Sequence, residues 1–347
     1  MRNLYWDHWK GVAIIAVVVI HALGTALTSA PTSLDYQAAV AIRQLINFPV
    51  ALFVFIAAFF SFRPSRVLEP TAKRVVQRIT RLLWPYLAWA AIYLSLGLAS
   101  GNKTIADVPL LLLNGRATSV GYYVIVMIQL ALLSPALERL SVRMLSWLLP
   151  CALVLSASFT YSVRLTSYEG IWANFPYNAL PFFLWLPFYV AGLLVARKGL
   201  ARLTHAPATL LRWSVSALIL AALVEGYLLQ SFAVDLAISQ LKVSSMLASL
   251  GICTLVAVSA KSWQAVKGWK VFTVWLGSRS YYFYLSHILV LNAVQRALSQ
   301  FSALDNAPMA FVLASVVVTI SACCLSALLA DRLLMAAPRM RRLVGLS

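Results

Sequence analysis

Residues 7–21 read DHWKGVAIIAVVVIH. A charged start runs directly into an apolar stretch, and that stretch closes on a histidine. Asp7, Lys10, Ile14, Val17 and His21 recur at intervals of three and four, so on a helix they share one stripe. Lys10 and His21 would then lie about 16 Å apart along the axis and point the same way. An ionisable side chain at membrane depth carries a free-energy cost unless something pairs it or uses it, so the stripe is a candidate site. We read it as the floor and mouth of a channel, with His21 near the middle of the first span. The same residues admit a plainer reading, in which Lys10 snorkels to the headgroups and His21 bonds a neighbouring helix.

Composition decides what kind of chain carries this stretch. Of 347 residues, 62% are hydrophobic and 11% charged, more apolar surface than a water-soluble fold of this size can hide. The expected fold class is an all-α polytopic membrane protein. Spanning helices need about 20 apolar residues. Ten candidate spans follow, at 11–30, 44–62, 82–100, 119–137, 145–163, 179–196, 213–232, 243–260, 271–294 and 308–330.

The formal charge of +18 is distributed as topology rather than as a nucleic-acid face. Alternate loops collect Arg2 and Lys10; Arg63, Arg66, Lys73, Arg74, Arg78 and Arg81; Arg139 and Arg143; Arg197, Lys198, Arg202 and Arg212; Lys261, Lys267 and Lys270; and Arg332, Arg339, Arg341 and Arg342. The intervening loops hold only Arg43, Lys103, Arg116, Arg164, Lys242 and Arg296. Both termini are therefore expected in the cytoplasm. Trp6, Trp9, Trp84, Trp147, Trp213 and Trp269 fall near the cytoplasmic ends of spans, where indole rings favour the headgroups. The loops 101–118 and 164–178 are too short to fold alone, so residues 1–347 are expected to form one membrane domain. Cys151, Cys253, Cys323 and Cys324 lack metal-ligand spacing, and the adjacent pair reads as packing.

Two further groups could carry chemistry. Arg78 and Arg81, at i and i+3, share a helix face at a cytoplasmic entrance, and guanidinium forks suit phosphate oxygens. Positive-inside topology alone would also place them there. In residues 276–287, LGSRSYYFYLSH, Ser280, Tyr284 and His287 fall on about one face and set a second histidine inside a span. Glu225, Gln129 and the aromatic-amide stretch around Trp172, Asn174, Tyr177 and Asn178 are weaker signals.

Taken together, these residues resemble the acyltransferase-3 family of bacterial integral membrane acyltransferases, which includes sugar O-acetyltransferases. The family's Asp-x-x-Arg/Lys-Gly-x-Ala start and Arg/Lys-x10-His element are matched by Asp7, Lys10, Gly11, Ala13 and His21. Its Arg-x-x-Arg is matched by Arg78 and Arg81, and its late Ser-x-x-x-Tyr-Leu-x-His by Ser280, Tyr284, Leu285 and His287. Tyr122, Tyr123 and Pro135 sit where some members carry an aromatic pair and a proline. The fourth-span glutamate of some members has no counterpart, since Met127, Ile128 and Gln129 occupy that region, and the extracytoplasmic esterase-like domain of longer members is not found.

The resemblance implies an acyl-CoA-dependent O-acyltransferase of the bacterial cytoplasmic membrane, with acetyl as the expected acyl group and a sugar or cell-envelope glycan as acceptor. It implies catalytic roles for His21, Asp7 and Lys10, with His21 as base or acyl carrier. The acyl-CoA phosphates would meet Arg78, Arg81, Arg74 and Lys10, while His287, Tyr284 and Ser280 would line or support the site. No metal and no nucleic acid are expected, and the lipid bilayer is the surrounding partner. The rival reading is a transporter or flippase for a glycan or small metabolite, which ten spans with isolated polar residues also fit.

Overall fold

The computed structural model describes residues 3–62, 71–165, 169–198, 208–260, 263, 266–304 and 306–346. Arg2, Arg63, Arg66, Arg202 and Lys261, which contribute to the topology argument, lie outside the described residues. In chain order the α-helices are α1 (Leu4–Ala22), α2 (Leu34–Leu45), α3 (Pro49–Ser61), α4 (Thr71–Ala99), α5 (Val108–Leu113) and α6 (Tyr122–Leu137). They continue as α7 (Val142–Leu165), α8 (Leu186–Lys198), α9 (Ala208–Leu229), α10 (Val234–Ala237) and α11 (Val243–Ser259). The last are α12 (Trp269–Ser278), α13 (Ser280–Leu298), α14 (Pro308–Leu333) and α15 (Pro338–Leu343). No strand occurs among the described residues.

Among the described residues, six helical segments are long and apolar enough to cross a bilayer: Leu4–Thr28, Leu34–Ser61, Thr71–Ala99, Val142–Leu165, Thr209–Leu229 and Pro308–Leu333. Tyr122–Leu137 and Val243–Ser259 are shorter apolar helices. This is the build of a polytopic membrane protein.

Several expected spans differ in detail. The first begins at Leu4, not residue 11, because the Asn3 side chain accepts from the Tyr5 amide and caps the helix. At its other end α1 stops at Ala22, so His21 sits in its last turn rather than midway along it, while the apolar segment runs on to Thr28. The second is two helices, α2 ending at Leu45 and α3 starting on Pro49, whose missing amide costs nothing at a helix start. The ninth is broken at Arg279 into α12 and α13. The sixth is helical only from Leu186, after a 3-10 turn at Phe182–Leu184. The third extends back to Thr71, which puts Arg74, Arg78 and Arg81 on helix.

The chain divides into two compact units. The first comprises residues 1–46, 83–121 and 266–347. Its centre is α1, packed against α12, α13 and α14. The α1–α12 crossing is a backbone contact: a Cβ on Gly277 would lie 1.6 Å from the Asp7 carbonyl oxygen, and one on Gly11 would lie 1.9 Å from the Thr273 carbonyl oxygen. Lipid tails are as apolar as leucine, so close van der Waals packing rather than water exclusion holds such helices together. At the same crossing His8 Nδ1 meets Thr273 Oγ1 at 2.6 Å, and Trp269 lies edge-on to the His8 ring. Ala22, Leu23 and Ala26 continue the contact against Ala39, Leu291 and Val312.

The second unit comprises residues 47–82 and 122–265. Here α3 packs on α8, α7 on α8, and α9 on α11. Gly192 gives α8 the same kind of approach, since a Cβ there would lie 2.4 Å from the Phe55 carbonyl oxygen. Gln129 fastens the non-helical entry to α8, donating to the Leu180 carbonyl and accepting from the Phe182 amide.

Candidate functional site

The chain has few carboxylates, 10 against 28 lysines and arginines. Three of those in the described helices, Asp7, Asp331 and Glu225, are met by cations, because a bare carboxylate away from water is expensive. Asp7, 3% exposed, holds Lys10 Nζ at 2.6 Å one turn along α1. Asp331 on α14 takes Arg279 at 2.6 Å and Arg341 of α15 at 2.6 Å. Glu225 on α9 accepts from the Tyr161 hydroxyl and the Ser244 amide, with the fully buried Lys242 Nζ at 3.9 Å. Glu225, a weaker signal in the sequence, thus has both a cation and hydrogen-bond donors, and it serves as a cap for α11.

In the first unit the two histidines singled out by the sequence come together. The ring centroids of His21 and His287 are 5.2 Å apart, with planes tilted by 50°. His287 is buried, 1% exposed, whereas His21 is an exposed residue. His287 Nδ1 lies 3.0 Å from the Phe283 carbonyl and 2.8 Å from that of Tyr284. Tyr284 donates its hydroxyl to the Val120 carbonyl at 2.6 Å, and Ser280 stands at the first position of α13, two turns before His287.

Arg43 was expected only as an outward topological charge. Its Nη1 donates to the Ile20 carbonyl at 3.2 Å, which brings a guanidinium to the turn that carries His21. Nothing local marks it, since its spacing to His21 is set by how α2 returns against α1.

The stripe from Asp7 to His21 is not an open lane. Ile14 and Val17 are buried between its two ends, packed into the first unit's core. The channel expected along this face is filled at its middle, because the apolar side chains chosen to make α1 helical are also those that pack it.

The arginine row lies in the second unit. Arg78 Nη1 donates to Ser134 Oγ at 2.5 Å and to Glu138 Oε1 at 2.9 Å, and its Nη2 donates to the Ser61 carbonyl at 2.9 Å. Arg74 reaches the other oxygen of Glu138 at 3.2 Å. Arg78 therefore joins the C-terminal ends of α3 and α6, where cations favour the unsatisfied carbonyls. Arg197 does the same for α6, donating to the carbonyls of Glu138 and Leu140. Arg81 is exposed and has no partner among the described residues. It lines a cavity of about 290 Å³ with Arg78, Ser61, Phe60, Met127 and Tyr189. That volume is at the lower edge of the range for ligand pockets, enough for part of a long molecule.

Sequence reasoning missed Glu138, Ser134, Ser61 and Tyr189. The available signal was Glu138 itself, a carboxylate closing an apolar helix beside a run of basic loops. Of the four cations expected to meet phosphate, Lys10, Arg74 and Arg78 each already face a carboxylate, and Arg81 alone is uncommitted among the described residues.

In a comparison with known families, the one described as "Acyltransferase domain" matches residues 3–329, nearly the whole chain and both units. No curated protein matches. No solved structure matches.

Proposed function

The chain belongs to this acyltransferase family, and from that premise we propose that it is an acyl-CoA-dependent O-acyltransferase in which His21 is the general base. Membership implies membrane acyltransferase activity. The donor, the acceptor and the role of each residue are our reading. The observation that carries it is the exposed His21 with its ring set against the buried His287 within the helices of the first unit.

The donor is a cytoplasmic acyl-CoA, with acetyl as the acyl group. The acceptor is a hydroxyl of a sugar or envelope glycan, and the site of action is the bacterial cytoplasmic membrane with both termini inside. Arg81 supplies the uncommitted charge for the donor phosphates. Arg78, fixed by three acceptors, lines the same cavity. His21 takes the acceptor's hydroxyl proton as the oxygen attacks the thioester carbonyl carbon. The carbon–sulfur bond then breaks, and the departing thiolate recovers the proton from His21. Arg43 beside the Ile20 carbonyl adds positive charge where the carbonyl oxygen becomes negative.

The transporter reading draws on broken helices. At the α12–α13 break, however, Arg279 is engaged by Asp331, by Ser278 and by the face of Trp275. The test is purified protein in sealed vesicles with labelled acetyl-CoA and a panel of sugar acceptors. Acceptor-dependent release of free CoA that falls about 10²–10⁴-fold in His21→Ala supports the enzyme. Near-normal transfer by His21→Ala overturns the assignment, and uptake of the sugar without consumption of acyl-CoA supports the transporter.

A further inference from the structure

The tautomer of His287 follows from its neighbours. Carbonyl oxygens only accept, and Nδ1 lies within hydrogen-bond distance of two of them, at Phe283 and Tyr284. Nδ1 must therefore carry the proton. A neutral imidazole has one N–H, so Nε2 is a bare acceptor. That atom is buried and has no partner among the described residues, in a side chain that is 1% exposed. The neighbouring ring is that of His21.

Carboxylates usually orient a catalytic imidazole. In the first unit every described carboxylate has other work. Asp7 holds Lys10, Asp35 caps α14 through the Met309 amide, Asp107 holds Thr104, and Asp331 holds Arg279 and Arg341.

We propose that His287 is the positioning residue for His21: its Nε2 accepts the N–H of one His21 ring nitrogen and so leaves the lone pair of the other on the accessible side. The signs are complementary, since each neutral ring has one donor and one acceptor. When His21 takes the hydroxyl proton, both its nitrogens carry hydrogen. The bond to His287 then becomes charge-assisted and stabilises the imidazolium until the proton passes to the leaving thiolate. No proton moves to His287, whose Nδ1–H stays on the two carbonyls. This inference rests on His21 as the base.

The test uses the full chain in lipid nanodiscs with ¹⁵N-labelled histidine. The wild-type protein should show one tautomer at His21, a pyridine-type Nε2 at His287 and nitrogen–nitrogen coupling across the shared proton. A mixed His21 tautomer without coupling overturns the proposal even if no variant folds. Two variants separate positioning from support. His287→Gln keeps an acceptor near the Nε2 position and should retain activity within about tenfold of wild type and the single tautomer. His287→Asn keeps a donor near the Nδ1 position, and its kcat should fall about 10²–10⁴-fold with both tautomers present. The reverse ranking, with Asn active and Gln inactive, makes His287 a structural residue. Active His21→Ala together with a locked His21 tautomer removes the base and leaves the pairing. Inactive His21→Ala with an unlocked tautomer removes only the pairing.

Discussion

Glu138 accepts a hydrogen bond from Arg78 at 2.9 Å, and the two residues are 60 positions apart in the chain. That contact divides the arginine row into a structural member and an uncommitted one. Arg78 also satisfies Ser134 and the last turn of α3. Removing it leaves a mostly buried carboxylate with Arg74 as its one remaining cation among the described residues.

The first prediction separates the two arginines. Arg81→Ala should weaken acyl-CoA binding by about 1.5–3 kcal/mol, the worth of a charged hydrogen bond, without changing the melting temperature. Arg78→Ala should lower the melting temperature, because Glu138 keeps only Arg74. Isothermal titration and thermal melts in detergent measure both, and equal effects of the two changes would refute the division.

A second prediction concerns the α1–α12 crossing. Gly277→Ala puts a methyl into the Asp7 carbonyl, an atom of a helix backbone that cannot rotate away. The helices must part, at a cost of about 1–3 kcal/mol or more for overpacking. Gly268→Ala is a different case: no atom lies within 4 Å of its Cβ position, and its φ of +58° makes the strain one of backbone alone. Thermal melts should show the loss of stability in Gly277→Ala, and the CoA-release assay should show lower transfer activity as well, since Asp7, Lys10 and His21 ride on the displaced helix.

The buried Lys242 gives a third. Glu225→Ala leaves an ammonium with no carboxylate, held only by the Ala222 carbonyl and Ser244 Oγ. It should be clearly more destabilising than Glu225→Gln combined with Lys242→Met, which removes both charges. Breaking one partner of a buried pair costs about 3–5 kcal/mol, whereas replacing both is often close to neutral. Chemical denaturation of the three proteins ranks them.

The fourth prediction is about the C-terminal helix. Asp331 ties Arg341 to α14, while Trp89 Nε1 donates to the Val344 carbonyl and Leu346 is buried. Asp331→Ala should loosen α15, so that limited trypsin cleaves at Arg339, Arg341 and Arg342 faster than in wild type. Unchanged cleavage would mean that Trp89 and Leu346 hold the segment by themselves.

The sequence by itself determined the class of protein and where most of its helices run, because hydropathy is a local sum over about 20 neighbouring residues. It also marked Asp7, Lys10, His21, Arg78, Arg81 and His287 as residues out of keeping with their surroundings, and their order and spacing carried the family. It placed His21 too near the centre of its helix, since α1 stops at Ala22 and the rest of the apolar run continues as a separate 3-10 turn at Ala26–Thr28. Tertiary structure decided the partners: Glu138 for Arg78, Lys242 for Glu225, Asp331 for Arg279, and His287 beside His21. It also decided that Ile14 and Val17 fill the stripe. These choices join residues tens to hundreds of positions apart. They depend on which helices can approach at Gly11, Gly277 and Gly192, and that separation is set by packing against distant segments rather than by any local pattern.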